Sequence, residues 1–154
     1  AALAKLAAAT GPEEAEREYN ALFIGLGRGE LLPFASFYLT GFLHEKPLAK
    51  LRADMARLGA ARAPGVFEPE DHIASLCEIM AGLIRGRFAS GPAAVGVQRD
   101  FFATHLGPWA AHFFTDLEAA SSSRLYAPVG AMGRAFMEIE RDAFRMEALE
   151  RASG

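Results

Sequence analysis

Apolar residues in this chain recur at helical spacing and almost nowhere alternate. The clearest run is Ile73, Leu76, Cys77, Met80, Leu83 and Ile84. Intervals of three and four residues lay such a run along one stripe of a helix. The same spacing joins Ala15, Tyr19, Leu22 and Phe23, then Leu48, Leu51, Met55 and Leu58, then Trp109, Phe113, Leu117 and Ala120. A last stripe, Leu125, Val129, Met132, Phe136 and Ile139, is expected to face inward on a long final helix. Strands need period-two runs bounded by hairpin turns, and none stands out. The pattern predicts an all-α fold: one helical domain over residues 1–154, with about six or seven helices and short, bundle-like connections.

The breaks fall where helix chemistry puts them. Thr10 and Glu13 have capping-box spacing, Pro12 suits a first helical turn, and Glu14 sits near the positive end of the dipole. The glycine-rich stretch from Gly25 to Pro33 ends that helix, and a short apolar segment, "FASFYLTGFL", follows. Pro47 opens the next helix and Gly59 stops it. Gly107 and Pro108 divide the helix carrying His105 from the one after Trp109.

Composition narrows the function. The 154 residues are 51% hydrophobic and 23% charged, which is globular rather than disordered. The net charge is −3 and no Lys/Arg run occurs, so nucleic acid is not expected as a partner. The single cysteine, Cys77, forms no internal disulfide and suits a reducing compartment. No apolar run approaches the roughly 20 residues that span a bilayer, so no stable membrane insertion is expected. The opening "AALAKLAAAT" does not read as a secretory signal, and the absence of a first Met leaves room for an upstream segment.

Catalytic signatures are wanting. Gly25, Gly27 and Gly29 do not make a dinucleotide fingerprint, and no Gly-Lys-Ser/Thr follows. His105 and His112 cannot share a helix face across Gly107-Pro108, and no H-E-x-x-H or E-x-x-H occurs. His72 lies five residues before Cys77, about 140° round a helix, so the two make no nucleophile–base pair. No catalytic residue, metal or cofactor is therefore expected. One stretch, "VFEPEDHIASL", remains unexplained. Pro69 with Glu70 and Asp71 reads as a helix start, but His72 has no purpose in that reading.

The motif Glu68-Pro69-Glu70-Asp71-His72 resembles the E-P-x-D-H element of the TorD/DmsD family of cytoplasmic chaperones for molybdenum-containing oxidoreductases. Two further segments agree in order. Tyr19 to Leu39 is similar to that family's Y-x-x-L-F segment, glycine-containing loop and P-Y-E-S-x-Y segment. Phe101 to Leu117 is similar to its F-x-x-H-L-x-x-W segment. The resemblance covers roughly residues 15 to 145. It departs at Phe34-Ala35-Ser36, where the family often has Tyr-Glu-Ser, and family members carry more helix before the first motif.

The resemblance implies a TorD-like, non-enzymatic protein. Its partners would be a molybdoenzyme apoprotein and that client's twin-arginine leader peptide, held in the cytoplasm until the molybdopterin is inserted and so before export. It also implies a site: Glu68, Pro69, Asp71 and His72, shaped by Tyr19, Leu22, Phe23 and Pro33. Asp71 would meet the leader's arginines, His72 would orient Asp71 or the loop, and Pro69 would be structural. Phe34, Phe37, Tyr38 and Trp109 are aromatic candidates for an apolar groove, though each taken singly reads as core. Monomers and domain-swapped dimers are both open, as are several classes of client. The alternative is a small helical enzyme or weak nucleotide-binding protein using Asp71 and His72, since family members have been linked to guanine nucleotides.

Overall fold

The computed structural model describes residues 2–153, and every regular element in it is helical. In chain order these are α1 (Ala2–Ala9), α2 (Pro12–Tyr19), α3 (Ala35–Thr40), α4 (Lys46–Leu58), α5 (Ile73–Arg85), α6 (Val95–His105), α7 (Ala110–Ala119) and α8 (Ala127–Ser153). A π-helical turn, Asn20–Ile24, continues α2. The fold is all-α, as the stripes predict. The helix beyond the expected count is α1, whose alanine-rich sequence has high helix propensity but no marked apolar stripe. Among the described residues the one β-type pairing is an antiparallel bridge between Phe34 and His72.

The residues divide into two units, and α8 contributes its first half to one and its second half to the other. One unit runs up to Pro33 and includes Ala110–Glu140. Its core holds Leu22, Phe113, Leu117 and Met137. Here α8 lies against α7 through glycine. A Cβ on Gly130 would sit 2.5 Å from the backbone nitrogen of Glu118 and 2.7 Å from the carbonyl oxygen of Phe114. The two helix backbones touch, and only a residue without a side chain fits between them.

That contact overturns the expected orientation of α8. Met132, Phe136 and Ile139 are 60%, 53% and 64% exposed, while Gly130 and Met137 are buried. Small residues let backbones approach, so the glycine face packs on α7 and the apolar stripe is left on the other side. The capping box fails as well. The N-cap of α2 is Gly11, with no side-chain bond, and the Thr10 hydroxyl instead donates to the Leu6 carbonyl at 2.7 Å, closing α1.

The other unit comprises Phe34–Trp109 and α8 from Arg141 onward. In it α3 packs on α4 and α5 on α6. Its core contains Leu48, Leu51 and Met55 of α4, Leu76, Met80 and Leu83 of α5, and Phe101 and Phe102 of α6. Each such side chain contributes roughly 1.5–3 kcal/mol on burial. The stripe of α5 is narrower than its spacing suggests, since Cys77 is half-buried and Ile84 is 48% exposed. Trp109 is 1% exposed, and its indole N–H donates to the His105 carbonyl at 2.7 Å.

Candidate functional site

The segment from Glu68 to His72 joins two helices. Asp71 is its centre. Its backbone carbonyl accepts from the Ala35 N–H at 3.0 Å, and its carboxylate accepts from the Ser36 N–H at 2.7 Å. These are orphan donors at the start of α3, whose own N-cap, Phe34, has no side-chain acceptor. Asp71 thus caps a helix 35 residues away in sequence. It is 1% exposed. A carboxylate so placed does not meet a guanidinium arriving from solvent, so its expected role as the arginine contact gives way to a structural one.

His72 also gains a purpose. It is the N-cap of α5, and its Nδ1 accepts from the Ala74 N–H at 3.1 Å. The helix therefore starts at Ile73, four residues past Pro69. Burial pushes the His72 imidazole below its ordinary pKa of 6.5, against the opposing pull of Glu68 and Asp71. A neutral ring keeps the lone pair that the cap needs. The ring stands edge-on to Phe34, with centroids 5.1 Å apart. Asp71 and His72 each take part in starting a helix, and among the described residues the second carboxylate oxygen of Asp71, Oδ1, is buried with no hydrogen-bond partner.

The accessible face of the motif is elsewhere. Glu68 is exposed, Phe67 is 87% exposed and Val66 is 38% exposed. Val66 and Glu68 line a cleft of about 440 Å³, and Phe67 lies between them in the chain. Met55, Ile79 and Phe88 give it an apolar lining, Glu68, Glu70 and Glu78 supply carboxylates, and Arg62 and Arg87 line it too. Gly82 makes the shape possible, because a Cβ there would lie 2.4 Å from the Phe88 ring. The acids are not equivalent. Glu70 accepts two bonds from Arg52, at 3.0 and 2.8 Å. Burial raises its pKa, but Arg52 and the charge of Arg62 outweigh that and hold it below the usual 4.5. Glu78 meets Arg87 at 3.4 Å on an exposed surface. Glu68 carries the most accessible carboxylate of the motif.

The remaining expected residues lie in the other unit. Tyr19 is 45% exposed at the end of α2, Leu22 is fully buried in the π-helical turn, Phe23 is half-buried, and Pro33 is buried. Phe23 sits between Tyr19 and Tyr126, at centroid distances of 5.2 and 5.5 Å. Leu22 and Pro33 are buried, which is a core role.

Two polar centres had no signal in the sequence. Glu18 accepts from the backbone N–H groups of Arg124, Leu125 and Tyr126 at 2.8, 3.0 and 2.9 Å, just ahead of α8. Burial raises its pKa, and the three donors more than reverse this. His105 is buried, and its Nε2 lies 2.8 Å from an Asp54 carboxylate oxygen. Burial lowers the His105 pKa despite that carboxylate. Among the described residues no three His, Cys, Asp or Glu side chains converge to hold a metal ion, and no helix is long and apolar enough to cross a membrane.

Fold and cleft define a class: an all-helical protein with an apolar-lined recess, edged by glutamates and arginines, between two consecutive helices. The family model described as nitrate reductase delta subunit matches residues 1–115, and the chain belongs to that family. Its curated relatives are TorD chaperones. The protein named chaperone protein TorD of Vibrio cholerae serotype O1 (strain El Tor Inaba N16961) is 27% identical over 134 residues, 83% of this chain and 61% of that protein. Chaperone protein TorD of Aliivibrio fischeri (strain ES114) is 34% identical over 90 residues, 54% of this chain and 42% of that protein. The chain thus spans about three fifths of the length of the Vibrio cholerae relative.

Proposed function

We propose that this chain is a molecular chaperone for assembly of a molybdopterin-containing oxidoreductase, and that it holds the client's twin-arginine leader at the Glu68 cleft. It acts in the cytoplasm, before export and until the cofactor is inserted, and catalyses no reaction itself. Kinship with proteins named chaperone TorD supports the chaperone role. The observation that carries the leader site is an accessible carboxylate, Glu68, on the rim of an apolar cleft beside exposed Phe67. A twin-arginine leader offers guanidinium forks and then an apolar run. The forks suit Glu68, which forms no ion pair among the described residues, and the run suits Met55, Ile79 and Phe88.

An arginine–carboxylate pair contributes about 0.2–1 kcal/mol when exposed and about 1.5–3 kcal/mol when the peptide shields it. The test is calorimetric titration of a twin-arginine leader, and of its twin-lysine version, into wild-type and Glu68→Gln protein at two salt concentrations. The expected result is moderate affinity that weakens with salt, with the twin-lysine leader and Glu68→Gln each costing roughly 3- to 30-fold. Equal binding by both peptides and both proteins sinks the leader site while leaving family membership intact.

A further inference from the structure

On the unit formed by Phe34–Trp109 and the second half of α8, a groove of about 440 Å³ runs between α6 and α8. Its charged lining is wholly basic, whereas that of the Glu68 cleft is mixed. Phe102 and Phe144 form its apolar wall, with ring centroids 5.4 Å apart. Arg99, Arg141 and Arg145 line it, and no acid does. The chain as a whole is negative, so this concentration of guanidinium groups runs against its net charge of −3.

The arginines of α8 fall into two kinds. Arg134 pairs with Glu118 and Glu138, and Arg151 pairs with Glu147. Arg141 and Arg145, the two in the groove, form no ion pair among the described residues, and both are exposed. They are four residues apart, so they share one face of the helix, where like charges repel. Glu138 faces Arg134, and Arg99 across the groove already holds Asp100 at 3.0 Å and Glu147 at 3.5 Å. Among the described residues no carboxylate closes an ion pair with Arg141 or Arg145, although Asp142 lies beside them on α8. A carboxylate seated between them would remove the repulsion and gain two charge-assisted contacts.

We propose that this groove binds an acidic segment of a partner protein, with carboxylates on Arg141 and Arg145 and an aromatic or aliphatic side chain against Phe102 and Phe144. The proposal does not depend on what fills the Glu68 cleft. A cationic segment is repelled here.

The test uses the purified chain and the capped peptide Glu-Glu-Phe-Glu-Leu-Glu, labelled for fluorescence polarisation. Controls are the same peptide with every Glu replaced by Gln, and one with Phe and Leu replaced by Ala. Saturable binding is expected for the first, at least about tenfold weaker for each control and for Arg141→Gln/Arg145→Gln, and falling with salt. Arg134→Gln should bind like wild type. The double variant should melt no lower than wild type, because it loses a repulsion, and it should bind a twin-arginine leader unchanged. The proposal is overturned if the glutamine peptide binds as well as the acidic one, if the double variant binds undiminished, or if no saturable binding occurs up to millimolar peptide. A lowered melting temperature for the double variant would assign the arginines to the fold instead.

Discussion

Asp71 shows how one side chain holds a motif together. Its carboxylate and carbonyl serve two successive N–H groups of α3, while the next residue, His72, caps α5. The motif is therefore a splice between two helix starts. Replacing Asp71 with Ala leaves the buried Ser36 N–H without its acceptor. The expected cost is about 2–3 kcal/mol. Asp71→Asn keeps an oxygen acceptor and loses only the charge, at about 1 kcal/mol. Urea unfolding checks both, and an Asp71→Ala midpoint indistinguishable from wild type would refute the capping role. The sequence shows the acids and proline of a helix start, but cannot show that Asp71 serves a different helix from the one it precedes. Glu18 and Asp54 are hidden for the same reason, since their partners lie 106 and 51 residues away.

At the scale of elements, legibility followed locality. Pro12, Pro47 and Gly59 act where the sequence puts them, because a proline or a left-handed glycine decides its own turn. The α8 stripe was misread because two faces of that helix are plausible seams. Met132, Phe136 and Ile139 look like a core face, yet Gly130 and Gly133 allow the closer approach. The two glycines make different predictions. At Gly130 an added methyl meets backbone atoms of α7, which cannot move alone. At Gly133 it meets the Phe114 ring at 2.3 Å, and a ring can turn aside. Gly130→Ala should therefore destabilise by about 3 kcal/mol and Gly133→Ala by about 1, even though alanine favours helix. Thermal unfolding of the pair checks the order, and Gly130→Ala melting above Gly133→Ala would mean that α7 and α8 are not in backbone contact.

On the acid side of neutrality, the histidines and the hydrogen-bonded carboxylates impose one direction on the pH dependence of the molecule. His72 and His105 are both held below 6.5 by burial. Glu18, Glu30 and Glu70 are held below 4.5, and Asp54 below 3.8, by hydrogen bonds and neighbouring positive charge that outweigh their desolvation. In each case the unfolded chain binds protons at a higher pH than the folded one, so stability rises with pH across the window between the two values. Stability should be full between about pH 6.5 and 9, fall on the acid side as the histidines of the unfolded state protonate, and fall again below about pH 4.5 as the carboxylates follow; above about pH 9 it falls because burial raises the Cys77 thiol. Of the two histidines, His105 is the better probe, because its side chain is buried and its Nε2 faces the Asp54 carboxylate. His105→Gln keeps a side chain able to donate to Asp54 but cannot titrate. It should lower stability at pH 7 yet flatten the slope between roughly pH 6.5 and 5, leaving the lower limb in place. Denaturant titrations of wild type and His105→Gln across this range give the answer. A wild type that gains stability on going from pH 7 to pH 5.5 would mean that His105 is stabilised as the cation by Asp54, and that the pair is an ion bridge rather than a neutral hydrogen bond.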